Sequence, residues 1–374
     1  MNRTDVLIIG GGLMGCATAL HLALRGASVR VLEKDYVGRH ASGVNAGGVR
    51  TLGRALPELP LSVAAKREWL NLPELVGDDG GFRPVGQIRI AETDAEMERL
   101  RTRSRAVDAL GLGYREQILQ REDLYQQLPA LAPHCVGGLW VPDDGYALPY
   151  RTTAAFRRQA EASGAIFQEG CKAELPRWAG TRWMVRAGAS TYHAATLVNC
   201  AGAWAGRLAS VLGDPTPLRP DGSMLMITAR MERFVGPVVG AAGRSLSFKQ
   251  FENGTVLIGG GHRAPVDLDT NHTGIALDGL AKAARTACTL FPIMRGAQAV
   301  RCWSGIEGFL PDGLPVIGPS RAAPALLHAF GFSAHGFQLA PIVGRLLAEL
   351  IGDGASSMPL NAFAVDRFQE AGSS

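Results

Sequence analysis

Three glycines near the start of the chain, in Gly10-Gly-Gly12-Leu13-Met14-Gly15, have the spacing that brings main-chain amides to a diphosphate. Gly10 permits a tight turn, Gly12 lets the backbone meet the phosphates, and Gly15 lets a helix pack close to a strand. Leu13 and Met14 open the helix whose free N–H groups and positive end would face the anion. Glu33 lies 21 residues after Gly12, where a carboxylate can accept hydrogen bonds from ribose hydroxyls, and Lys34 follows it. An acid there argues against the 2′-phosphate of NADP. It does not separate NAD from FAD.

That chemistry needs the glycines to sit between a strand and a helix. Thr4 to Ile9 is short and β-branched, as a buried strand would be. Met14 to Arg25 is rich in Ala and Leu, reads as a helix, and is ended by Gly26; Ser28 to Leu32 reads as a second strand. Val6 to Leu24 is also a 19-residue run without a charge, long enough for a signal peptide or a membrane span. Asp5 against that run and the break at Gly10-Gly11-Gly12 favour strand, turn, helix and strand instead. No membrane span is expected.

The chain has 374 residues, enough for two domains or for one with an inserted lobe, and 47% apolar residues can fill a large core. Its 47 glycines, nearly twice the usual share, cluster without a period and point to turns where backbone approaches a ligand. A net charge of +4, without any basic block, argues against nucleic acid as a partner. The six cysteines are far apart and form no CxxC, so neither a disulfide framework nor a metal or iron–sulfur site is expected. Reduced thiols suit a cytoplasmic protein.

Four further segments carry a resemblance, and FAD rather than NAD is what that resemblance implies. They are Ala41-Ser-Gly-Val-Asn-Ala-Gly-Gly-Val-Arg50, Leu197-Val-Asn-Cys-Ala-Gly-Ala-Trp204, the stretch from Arg301 through Trp303-Ser-Gly-Ile-Glu307 to Gly318, and Gly331-Phe-Ser-Ala-His-Gly-Phe-Gln-Leu-Ala-Pro341. In this order the chain resembles, from end to end, the FAD-dependent amino-acid and amine oxidoreductases of the D-amino-acid oxidase, glycine oxidase and sarcosine oxidase type. It looks most like the β subunits of opine, D-hydroxyproline and proline dehydrogenases. The resemblance implies an α/β Rossmann-like FAD domain, from 1–80, 145–225 and 301–374. An α+β substrate domain with an antiparallel sheet would come from 81–144 and 226–300. Within 81–144, an amphipathic helix at 93–109 carries Arg99, Arg101, Arg103 and Arg105 among acids, which reads as a solvated face.

The same resemblance implies the binding residues. Ser42, Asn45, Ala46, Gly47, Gly48 and Val49 would pass the flavin ring. Ala201, Gly202 and Trp204 would hold the adenosine half. Gly305, Gly331, Ser333, His335, Gly336, Phe337 and Gln338 would approach the flavin. Pro341 suits the first position of a final helix ended by Gly352, with its positive end near the ring edge that gains charge on reduction; an ordinary packed helix would show the same two residues.

For the substrate, Arg50 matches an arginine that grips a carboxylate in sarcosine-oxidase relatives; its alternative is a structural salt bridge. His262 resembles a strand-end active-site histidine, or is a satisfied structural one. His335 reads as a flavin-edge contact or a backbone cap, and Lys249 is a weaker candidate on the adjoining strand. Glu307 departs from the pattern: glycine-oxidase relatives place their carboxylate-binding arginine there, and an acid would repel a carboxylate. Gly305 stands where sarcosine oxidase has its flavin-linking cysteine, and Cys302 is three residues away, so the FAD is expected to be non-covalent.

The expected activity is oxidation of the C–N bond of a secondary amino or imino acid by hydride transfer to flavin N5. If the chain is such a β subunit, larger and smaller partner subunits would carry any second flavin or iron–sulfur centre; the absence of cluster ligands also fits a self-contained oxidase that passes electrons to oxygen. Two rivals remain: a non-catalytic FAD-binding subunit, and a 2-hydroxy-acid dehydrogenase on the same fold.

Overall fold

The computed structural model describes residues 2–368. The opening segment forms the strand Arg3–Ile9, the helix Leu13–Leu24 and the strand Val29–Leu32, and the two strands pair in parallel. They sit in a sheet ordered Val316–Pro319, Leu326–Phe330, Ser190–Asn199, Arg3–Ile9, Val29–Leu32, Ile166–Gln168. Only the first strand of that path is antiparallel to its neighbour. Both faces are covered, which is why the strands read as continuous apolar runs rather than alternating ones. Leu13–Leu24 is buried along almost its whole length because it lies between the sheet and the helices Pro149–Ala162 and Gly336–Asp353.

The second sheet has nine strands. Its path runs Arg263–Ala264, Arg219–Thr228, Val256–Gly259, Ser247–Gln250, Val238–Ala241, Gln87–Ala91, Gly137–Val141, Gln117–Leu119, with Ala299–Phe309 paired to the remaining side of Arg219–Thr228. One face buries Ile88, Ile90, Val239, Phe248 and Ile258 in a core shared with the helix Leu277–Leu290. Phe248 stacks on Phe291 there, with centroids 4.8 Å apart. Strand alternation therefore turns Arg89 and Lys249 to the opposite face.

Three expectations change. The sheet is not wholly antiparallel: Val238–Ala241 runs parallel to Gln87–Ala91, where the two chain segments meet. The strands Arg219–Thr228 and Ala299–Phe309 run through the expected boundaries at 225 and 300, because one ladder links them almost end to end. The last helix starts at Gly336 and ends at Asp353, with Gly354 left-handed at its close. Pro341 lies inside it, tolerated because its absent N–H removes only the bond to the Phe337 carbonyl, near the helix start.

The helix expected at 93–109 spans Asp94–Asp108, with the Thr93 side chain accepting from the Glu96 N–H. Its arginines are not one solvated face. Arg99, Arg101 and Arg105 are exposed, while Arg103 reaches inward to Glu116 in a two-pronged pair at 2.7 Å.

Candidate active site

A cavity of about 560 Å3 opens where Arg3–Ile9, Val29–Leu32 and Ser190–Asn199 end, and Ile9, Leu32 and Cys200 line it. From Ile9 the chain crosses to Val29–Leu32 on one side while Ser190–Asn199 flanks the other. Open α/β sheets bind ligands at such a switch point. Gly10 has φ +109°, and a Cβ there would lie 2.3 Å from the Cys200 carbonyl oxygen. A Cβ on Gly15 would lie 2.0 Å from the Gly10 carbonyl oxygen. The turn therefore admits no side chain at either position. Ser42 Oγ accepts the Leu13 N–H at 2.9 Å, bringing the loop that begins at Ala41 to the helix start.

Glu33 is buried at the cavity edge. Its two oxygens accept the Gly11 N–H at 2.7 Å and the Asp35 N–H at 2.9 Å. Burial raises its pKa, and these two amides counter the rise. Lys34 lies 3.3 Å over the Trp204 ring and bonds Asn271. Trp204 donates its indole N–H to the Leu268 carbonyl at 2.9 Å. Leu268, Asp269 and Asn271, which line the cavity, belong to a hairpin whose strands are Val266–Asp267 and His272–Thr273. No periodicity in the sequence marked that hairpin.

Of the residues expected around the cofactor, Gly10, Gly12, Leu13, Met14, Glu33 and Lys34 line the cavity. So do Ser42, Asn45, Ala201, Gly202, Trp204, and Gly331, Ser333, Gly336 and Phe337 at the start of the last helix. Others lie behind the wall. Gly48–Val49 pairs with Gly145–Tyr146, and Gly47 packs on Ala147. Gly305 faces Val44. Ala46 presents its carbonyl to Lys249, which is buried away from the cavity; burial brings the lysine pKa down to about 7. The Gln338 side chain turns to Ser62, and His335 turns to Glu58 at 3.0 Å, because helix Leu59–Leu70 packs against that side of the last helix. Burial lowers the His335 pKa to about 4.

Arg50 does not line the cavity either. It folds back to the Leu52 carbonyl at 2.6 Å. The residues after it are clamped by two buried carboxylates: Asp144 accepts from Thr51 and Leu52, and Glu116 from Gly53. Arg54 pairs with Glu58, Arg103 with Glu116, and Lys66 with Asp144. Among the described residues, Arg50 and Arg89 have no such partner. A Cβ on Gly53 would sit 3.1 Å from Arg89 Nη1 and 3.5 Å from Arg50 Nη1, so the two guanidinium groups flank one point.

Glu307 lines the cavity with Ile306 and Gly308, 8% exposed. His262 is not beside it. Gly260 and Gly261, both at positive φ, bend the chain so that His262 packs against Gly279 of helix Leu277–Leu290. Arg263 comes into register with Ser223 instead, donates to its Oγ at 2.6 Å, and lies near Glu307. Arg89 and Arg263 were invisible in the sequence, since only sheet register brings them here. Cys302 is exposed and outside the cavity. Among the described residues, no group of acids, histidines or cysteines could hold a metal, and no helix is long and apolar enough to cross a membrane.

The glycine turn at a switch point, with a carboxylate at the next strand end and a second sheet as roof, defines a dinucleotide-binding oxidoreductase fold. Residues 5–350 match the family model for DAO, the FAD-dependent oxidoreductases, and the chain belongs to that family. It is 26% identical over 378 residues to a subunit of opine oxidase from Rhizobium meliloti, covering 98% of both chains. To glycine oxidase of Geobacillus kaustophilus it is 27% identical over 375 residues, covering 98% of this chain and 97% of the other. The crystal structure of that organism's glycine oxidase superposes with a TM-score of 0.90 over 98% of this chain and 99% of the other, at 26% identity. L-proline dehydrogenase from P. horikoshii shares the fold, with a TM-score of 0.92 and 24% identity over 99% of each chain. The Cβ-free turn and the fixed Glu33 carboxylate fit FAD. Gly10, Gly12 and Leu13, which line the cavity, would hold its phosphates, and Glu33 at the cavity edge would accept from its ribose.

Proposed function

We propose that this chain oxidises the C–N bond of a secondary amino acid, as a subunit of a larger dehydrogenase. When bound, FAD supplies the two-electron acceptor. The chain's own residues hold the substrate and exclude water. The observation that carries the reading is the pair Arg50 and Arg89, which flank one point beside Gly53 and, among the described residues, make no ion pair of their own, although Asp144, Glu58 and Glu116 lie nearby. Two part-buried guanidinium groups side by side call for an anion, and a planar fork grips a carboxylate with two hydrogen bonds. The carboxylate anchor that Glu307 cannot provide thus falls to Arg50, supported by Arg89. Glu307 lines the cavity, with Arg263 near it.

Three relatives are named as subunits, two of opine oxidase and one, HcnC, of hydrogen cyanide synthase, and those names support a subunit role. They also favour a second reading, in which the chain binds FAD while partners do the chemistry. Anaerobic mixing of the flavin-bound chain with opines, proline, D-hydroxyproline and sarcosine separates the two. Bleaching of the flavin by one of them is the expected result. Arg50→Lys should then raise KM at least tenfold with FAD retained. Unchanged kinetics would remove Arg50 from the site.

A further inference from the structure

Glu307 is a buried carboxylate on the cavity wall whose charge nothing nearby neutralises directly. It sits in Ala299–Phe309, opposite Asp221 in the ladder to Arg219–Thr228. The elements around it offer one cation. Arg263 is committed elsewhere: it donates to Ser223 Oγ at 2.6 Å, stacks 3.6 Å over Phe309, and lies 3.8 Å from Asp221. Among the described residues, no Lys, Arg or His comes within 4.0 Å of the Glu307 carboxylate. The turn Gly202–Trp204 and the short helix Ala41–Val44, which also meet this strand, bring no charged side chain to it. The hairpin strand His272–Thr273 brings Thr273, bonded to Ser304, and His272, which is exposed.

We propose that Glu307 is the proton acceptor for the substrate's ammonium group. This rests on the C–N oxidation proposed above. A secondary amine in water has a pKa near that of lysine, about 10, so it arrives protonated at neutral pH. Its nitrogen lone pair is then tied up in an N–H bond and cannot help the adjacent C–H bond break. In the proposed step one N–H bond breaks, one O–H bond forms on Glu307, and the electron pair stays on nitrogen. When the Cα hydride leaves for FAD with its two electrons, that pair becomes the second bond of C=N. Glu307 returns its proton to solvent after the product has gone.

The charges make the assignment directional. With the carboxylate end of the substrate drawn to Arg50 and Arg89, as proposed above, a carboxylate at Glu307 selects the cationic end. Burial pushes the Glu307 carboxyl up to about 7, with Asp221 adding to the rise and Arg263 and the Ser223 hydroxyl opposing it. A base with that pKa is ionised in about half the molecules at neutrality, which suits proton transfer at working pH.

The test uses the FAD-bound protein, Glu307→Gln and Glu307→Asp. Anaerobic flavin reduction by a secondary amino acid is followed from pH 5 to pH 10. In the wild type the second-order rate should rise through pH 7 and level off. In Glu307→Gln the rise should move up towards the pKa of the free amine, with a loss of roughly 10²- to 10³-fold at pH 7.5. Glu307→Asp should restore part of it. Without substrate, the wild-type flavin spectrum should titrate near pH 7, and the Gln variant's should not. Superimposable rate profiles, or a spectral titration that survives in Glu307→Gln, would overturn the role of Glu307 alone. Failure of every secondary amine to reduce the wild-type flavin would overturn the C–N reading and this inference with it.

Discussion

Asp144 pins the segment that follows Arg50, and its removal can be worked through from the contacts. It is fully buried and accepts the Thr51 N–H at 2.9 Å, the Thr51 hydroxyl at 2.8 Å, the Leu52 N–H at 2.9 Å and the Lys66 ammonium at 2.8 Å. Asp144→Asn keeps the shape but turns one oxygen into an NH2 group that faces another donor. It also strips Lys66, itself buried, of its main counter-charge. Breaking a buried pair in this way costs about 3–5 kcal/mol. Asp143 also touches Lys66 at 2.8 Å but is half-exposed, so it offsets only part, and a loss of about 3 kcal/mol is expected. The assay is equilibrium urea unfolding of the flavin-bound protein for Asp144→Asn, Lys66→Met and the double variant. The double variant should lose less than the two singles combined, since it leaves no buried charge unpaired. The loop carrying Arg50 should loosen as well, raising KM more than it lowers kcat. A loss below about 1 kcal/mol, or strict additivity of the two substitutions, would refute the clamp.

Gly10→Ala should abolish FAD retention, because the added methyl meets the Cys200 carbonyl oxygen at 2.3 Å; the flavin content of purified protein checks it. Glu307 has a folded pKa raised to about 7 from 4.5, so the folded state favours the protonated form. Stability is then lost as pH rises between these values, by roughly 3 kcal/mol in all. Glu307→Gln should escape that loss, and its advantage over wild type in urea should be larger at pH 8 than at pH 5. An advantage independent of pH would contradict the burial of a free carboxylate.

The first strand, helix and strand were legible because their logic is local: a β-branched run, a glycine turn, an Ala/Leu helix and an acid at the next strand end. Glu307 was legible as an anomaly, an acid in a position that resemblance reserves for an arginine. What the sequence hid depends on pairing across long separations. Arg89 comes near Arg50 because Gln87–Ala91 pairs with Gly137–Val141 and Asp144, just after that strand, holds Thr51 and Leu52, and nothing in these separate segments announces that pairing. His262 resembles a strand-end active-site histidine, since it follows the strand Val256–Gly259 after two glycines. Two left-handed glycines shift the facing residue by one, and a one-residue shift exchanges the two faces of a strand. His335 and Gln338 lie in the right loop, but helical periodicity turns their side chains from the cavity into a packed interface with Leu59–Leu70. Pro341 looked like a helix start because proline usually is one; here the Gly331–His335 turn starts the helix earlier.

Anaerobic titration of the purified chain, yellow with FAD, against a panel of secondary amino acids tests the central claim most directly. The account predicts that at least one bleaches the flavin band stoichiometrically and yields an imine or its hydrolysis products. Protein that stays colourless after incubation with FAD, or whose flavin no amine reduces, would contradict it.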